Sequence, residues 1–280
     1  MWSGLLMKGF LDKRVLGLIE VCLMVFFIAF LAWVFEAYLN WFEFFDWFFK
    51  ALMVLIVLLV IILSKKSFKT YGFFPEYPSF TLKWSLLFIA IFIVPAVASI
   101  ILSIVLGIAT QTNVSSTSII STIIYYMVFV GLIEEIYFRG YVQSRLNEVF
   151  EKRWQKLVFK AWRVDYGASL LITSTIFALI HLINYWNPLT SMWKPVWWMP
   201  IHILFCFIFG CIAGALREAS GDIYTPASLH GGIMTAYTLL SIYTNVLTLN
   251  ISLFISWFIF FWSLEPFFRK AERLKSLSLV

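Results

Sequence analysis

Glu134 and Glu135 stand side by side in an apolar run of helical length, Met127 to Tyr141, and Arg139 follows four residues after the second. Carboxylates at bilayer depth are expensive, roughly 2.5–3.5 kcal/mol each on insertion scales, so such a pair is a functional candidate by default. On a helix Glu135 and Arg139 are i and i+4 and can pair. Glu134 points about 100° away. The expectation is one carboxylate neutralised locally and the other left free to work. His181 lies in Phe177-Ala-Leu-Ile-His181, and His230 in Thr225-Pro-Ala-Ser-Leu-His230-Gly-Gly232, each on its own apolar segment. The third histidine, His202, sits beside Trp197, Trp198 and Pro200 and reads as interfacial.

A carboxylate and two imidazoles support two chemistries. In one, Glu134 is a general base toward water, helped by one histidine, while the other stabilises an oxyanion. In the other, Glu134, His181 and His230 bind Zn²⁺, with water in the open fourth position. Either is hydrolysis of a polar bond in a cavity expected to open to the cytoplasmic leaflet. Other intramembrane protease chemistries are missing from the sequence: there is no H-E-x-x-H, no G-x-S-G and no G-x-G-D.

The elements that must hold these groups are helices in lipid. The chain of 280 residues is 62% hydrophobic and 20% aromatic, with 13% charged residues against about 25% in soluble domains. Its mean hydropathy is +0.90. This is the composition of an all-α integral membrane protein, expected in a prokaryotic plasma membrane. Apolar stretches near 20 residues predict eight transmembrane helices, at 15–38, 47–64, 82–109, 120–142, 167–186, 198–216, 223–243 and 248–264. The last is the shortest. Basic residues before span one, between spans two and three, between four and five, after six and after eight all fall on one side of that count. By the positive-inside rule both termini are cytoplasmic. The same rule accounts for the net charge of +6, so no nucleic-acid partner is inferred. Residues 143–166 are basic and aromatic and predict an amphipathic helix on the inner leaflet. Gly210 and Gly214 form a G-x-x-x-G pair suited to close helix packing. Cys22, Cys206 and Cys211 form no C-x-x-C pair and read as free thiols.

Glu134-Glu135-x-x-x-Arg139, then Phe177-x-x-x-His181, then His230 beyond Gly221-Asp222-Ile-Tyr-Thr-Pro226, in that order, resembles the CAAX-protease and bacteriocin-processing (CPBP or Abi) family over roughly residues 80–245. The resemblance implies an eight-helix intramembrane endopeptidase. It implies that Glu134 activates water, His181 helps position it and His230 stabilises the oxyanion. Glu135 and Arg139 would hold the site in shape. The family pattern continues H-x-x-x-N, and here that place is Met234. Methionine cannot donate a hydrogen bond, and losing one oxyanion donor typically costs about 10²–10³ in rate. Asn184, three residues after His181 and on the same face, is the candidate substitute.

These readings divide the chain into N-terminal helices and an interfacial loop (1–79), a catalytic core (80–245) and a last helix with a basic tail (246–280). Three functions compete: a protease acting on a membrane-associated peptide or protein, a catalytically weak scaffold binding a membrane partner in the same cavity, and a proton-coupled transporter. The last has least support, since no inverted repeat is visible.

Overall fold

A computed structural model describes residues 13–39, 45–111, 116–150, 152–156, 163–194 and 196–277. Each predicted apolar stretch is a helical rod. These are α1 (Lys13–Leu39), α2 (Phe45–Leu63), α3 (Pro78–Val105), α4 (116–147), α5 (168–184), α6 (Met199–Ser220), α7 (Tyr224–Tyr243) and α8 (Val246–Leu277). Among the described residues, six of them are long and apolar enough to cross a membrane: α1, α2, α3, α4, α6 and α8. The α5 rod is a shorter apolar helix. The α7 helix has 20 residues, but Thr225, Ser228, His230 and three further Thr or Ser residues dilute its apolar character. The eight expected spans are thus eight rods, of which two fall short by length or composition.

Two expectations need correction. The last span is not short: α8 runs 32 residues, continuing through Pro266 into the basic tail. The segment after α4 is not an amphipathic helix where it is described. Lys152–Lys156 (β1) pairs antiparallel with Arg163–Gly167 (β2), and 157–162 lie outside the described residues. A second short pairing, Trp186–Asn187 (β3) with Met192–Trp193 (β4), follows α5.

Local chemistry sets the ends of the rods around the site. Pro78 opens α3, where a missing N–H is harmless. Gly221, at φ 76°, ends α6 in the left-handed conformation that glycine adopts without strain. Asp222 then accepts from Thr225 N at 2.8 Å and from Thr81 Oγ1 at 2.6 Å, which starts α7 and ties it to α3. The α3 and α7 helices pack most extensively, and α4 packs on α7. An aromatic row on α3, Trp84, Phe88 and Phe92, packs on Trp257, Phe260 and Phe267 of α8. The G-x-x-x-G pair is used inside the chain: a Cβ on Gly210 would meet Ser174 Cα at 3.0 Å, and one on Gly214 would meet Leu170 and Gln143.

The basic residues converge at one end of the bundle. Lys66 and Arg145 both pair with Glu148, and Arg145 Nη2 lies 2.6 Å from Glu20 Oε2. Arg217 donates to Thr70 O and to Ser144 Oγ, and Lys275 donates to Glu218 O.

Candidate active site

Two stretches of α4, Tyr125–Leu132 and Ile136–Gln143, are π-helical, and the Glu pair sits in the short α-helical turn between them. Single π turns inside α-helices recur at functional positions, where they re-aim side chains. The helix that faces this turn comes unusually near. A Cβ on Gly131 would lie 2.7 Å from Gly231 Cα, and one on Gly231 would lie 2.9 Å from Met127 Cα. Two glycines therefore let α4 and α7 touch backbone to backbone. That approach brings His230 to Glu135: His230 Nδ1 is 3.1 Å from Glu135 Oε1.

Glu135 is fully buried and serves two cations or donors at once. Its other oxygen is 3.1 Å from Arg139 Nε, in the expected i,i+4 pair, and Arg139 is also fully buried. Charge rather than an aligned hydrogen bond holds that contact. The Arg139 guanidinium lies over the Phe177 ring at 5.0 Å, a cation–π contact in a dry environment. Phe177 also packs on His181, His230 and Phe209 at ring distances of 4.8, 5.8 and 5.7 Å. This half of the site is an interlocked polar core inside aromatic walls.

Glu134 faces elsewhere. It lines a cavity of about 380 Å³ together with His181, Asn184, Lys50, Asp46 and Glu36, among apolar side chains of α1, α2, α4 and α5. Its carboxylate is not free, and this corrects the sequence expectation. Lys50 Nζ is 2.5 Å from Glu134 Oε1. The reason is that α2 lies against the central turn of α4, and Lys50, five residues beyond the start of an otherwise apolar helix, reaches that turn. Asp46, one helical turn before Lys50, lies within electrostatic range of both Lys50 and Glu134. His230 and His181 also act electrostatically on Glu134.

His181 caps the α-helical part of α5 and opens its final 3₁₀ turn, His181–Asn184. Its Nδ1 lies 2.7 Å from Phe177 O, so Nδ1 carries the hydrogen and Nε2 keeps its lone pair. Simple depth counting from the predicted ends puts His181 deeper than Glu134. The longer α4 removes the mismatch: Glu134 lies 13 residues before Asn147, and His181 lies 13 residues after Ala168. His202 is nearer the site than its interfacial reading implies. Its ring meets His181 edge to face at 5.5 Å, and its Nδ1 shares a 2.7 Å hydrogen bond with Tyr185 Oη. Met234 is partly buried on α7, and the Thr235 hydroxyl beside it is buried without a hydrogen-bond partner among the described residues.

The residues missed from the sequence are Lys50, Asp46 and Glu36. A lysine inside a span was the available signal, since an intramembrane cation implies a nearby partner. Glu36 accepts from Asn187 Nδ2 at 2.9 Å, and Trp33 Nε1 donates to Trp186 O at 2.8 Å, so the β3–β4 pairing is fastened to the end of α1 beside the cavity. Glu36, Asp46, Ile183 and Asn184 all belong to rod ends remote from the basic cluster. The cavity is therefore displaced toward that end.

Among the described residues, no three His, Cys, Asp or Glu side chains stand close enough to share an ion. Glu134 is also held by the Lys50 ammonium, which competes with a cation for the carboxylate. These residues as arranged do not fit a bound Zn²⁺.

A family model described as Rce1-like, type II CAAX prenyl endopeptidase Rce1-like, matches residues 115–236. No curated protein and no solved structure matches the chain. The matched residues carry Glu134, Glu135, Arg139, His181, Asn184 and His230, and leave out α1, α2 and Lys50. Over that segment the chain is similar to the type II CAAX prenyl endopeptidases, in line with the resemblance its three motifs carry.

Proposed function

We propose that this protein is an intramembrane endopeptidase that hydrolyses a peptide bond of a membrane-associated peptide or protein, with Glu134 as the base that activates water. The observation that carries the reading is that Glu134 and His181 line one cavity, inside the segment that the protease family model matches. Water held between the Glu134 carboxylate and the His181 Nε2 lone pair meets two acceptors, which aims its oxygen lone pairs at an incoming carbonyl. Glu134 takes the proton as the oxygen adds to carbon and returns it to the leaving amine as the C–N bond breaks. Asn184 supplies an amide donor in the same cavity. Glu135, Arg139 and His230 hold the turn that presents Glu134. The family's description points to a C-terminal prenylated peptide as substrate class.

Two positions bear on the side of access. The basic residues cluster at the end of the bundle away from the cavity, and the positive-inside rule assigns that end to the cytoplasm. This supports entry from the half of the bilayer remote from the basic cluster, in place of the cytoplasmic leaflet. Labelling of Asn184→Cys by an impermeant thiol reagent in intact cells reads it directly; protection there, with labelling only after permeabilisation, returns the site to the cytoplasmic side.

The function itself is tested with the full chain in proteoliposomes and a quenched-fluorescent farnesylated CAAX peptide. Cleavage by the wild type, abolished in Glu134→Gln and His181→Ala, is the expected result. The second reading, a scaffold that binds a membrane partner in the same cavity, draws on Met234 in the place of a donor. It is favoured if both variants keep the cellular phenotype of the wild type.

A further inference from the structure

We propose that Lys50 is a catalytic residue of this site, whose ammonium donates to the oxyanion formed when water adds to the scissile carbonyl. The proposal rests on the endopeptidase reading and extends the site to a helix outside the family match. Lys50 Nζ is 2.5 Å from Glu134 Oε1, lines the same cavity as His181 and Asn184, and keeps 16% of its side chain accessible. An ammonium carries three N–H donors. Among the described residues Glu134 takes one of them, so donors remain for a group entering the cavity. Met234 stands where the family pattern places an amide donor, so the chain has a donor missing from α7 and an extra one arriving from α2.

A cation that only neutralised Glu134 would work against the reaction, because it would hold the carboxylate in its charged form and weaken it as a base. Catalysis gains only from contacts that strengthen in the transition state. Lys50 meets that condition through the path of the charge. As Glu134 accepts the proton of water it becomes neutral, and the negative charge appears on the carbonyl oxygen. The ammonium beside Glu134 then loses its carboxylate partner as the oxyanion forms within reach of its remaining donors. When the C–N bond breaks, the proton passes from Glu134 to the amine, the carbonyl re-forms and the ammonium returns to the carboxylate. Lys50 gains and loses no proton in the cycle. Asp46, one turn away, keeps a second carboxylate near the cation throughout.

The test uses the full chain in proteoliposomes with the farnesylated CAAX peptide. Lys50→Met keeps the length and helix preference of the side chain and removes the charge. It is expected to lower kcat about 10²–10³-fold with KM within about threefold, the signature of a lost transition-state contact. Lys50→Ala with methylammonium in the buffer is expected to recover at least tenfold of the loss, since a free ammonium can occupy the vacated position. A merely structural lysine gives no such rescue. Loss of rate in both variants without amine rescue overturns the proposal, as does a kcat in Lys50→Met within threefold of wild type. In the latter case Glu134→Gln, if inactive, leaves the endopeptidase reading standing. A wild type inert toward the peptide in the same assay overturns that reading and this proposal with it.

Discussion

Two neighbouring carboxylates on one helical turn live in opposite surroundings. Glu135 is fully buried, shared between Arg139 and His230, and walled by Phe177 and Phe209. Glu134 borders a cavity, with Lys50 on one side and His181 in the same lining. In the dry half, charges are held by a fixed set of partners, and removing one leaves an uncompensated ion. In the cavity half, the partners have unused donors or lone pairs beside open volume. The difference teaches that ion pairing by itself does not mark which acid does chemistry. Both acids are paired; only Glu134 is paired at the wall of a cavity.

That contrast can be broken from either side. The largest expected effect is Glu134→Gln, which should lower kcat about 10³–10⁴-fold, equivalent to about 4–5.5 kcal/mol of barrier, with the unfolding midpoint lowered less than in Arg139→Met, because Lys50 keeps Asp46 and the cavity beside it. Rate assays beside thermal unfolding in detergent separate the two readouts. Arg139→Met should do the reverse in kind, destabilising the fold by about 3–5 kcal/mol because Glu135 keeps its buried charge. Adding Glu135→Gln to it should recover most of that stability; equal loss in the single and double variants would show that the pair is not the source. Gly231→Ala should cost about 1–3 kcal/mol, since its new methyl meets Met127 Cα at 2.9 Å and pushes α7 off α4. Activity should fall with it, because His230 then leaves Glu135. The smallest effect is expected for Tyr185→Phe, which removes the 2.7 Å hydrogen bond to His202 and should cost about 0.5–1.5 kcal/mol with kcat within about twofold.

Much of this was legible in the residues. The Glu135–Arg139 pair follows from i,i+4 spacing alone, and seven of the eight apolar stretches appear as rods close to their predicted bounds, the last running well past its own. The G-x-x-x-G of α6 was read correctly as a packing surface. The partner of Glu134 was not legible, since Lys50 is 84 residues away and only the packing of α2 against α4 joins them. The role of Gly131 and Gly231 was equally hidden, because a glycine in a span says that something approaches without saying what.

The sequence by itself determined the apolar helices and the likeness to a protease family, because hydropathy, spacing and motif order are properties of a single strand of chain. Tertiary structure alone decided which acid is enclosed and which borders the cavity. Helices pack according to which faces their small and large residues allow to meet. A glycine contact between α4 and α7 seals one carboxylate in, and a lysine from α2 arrives beside the other.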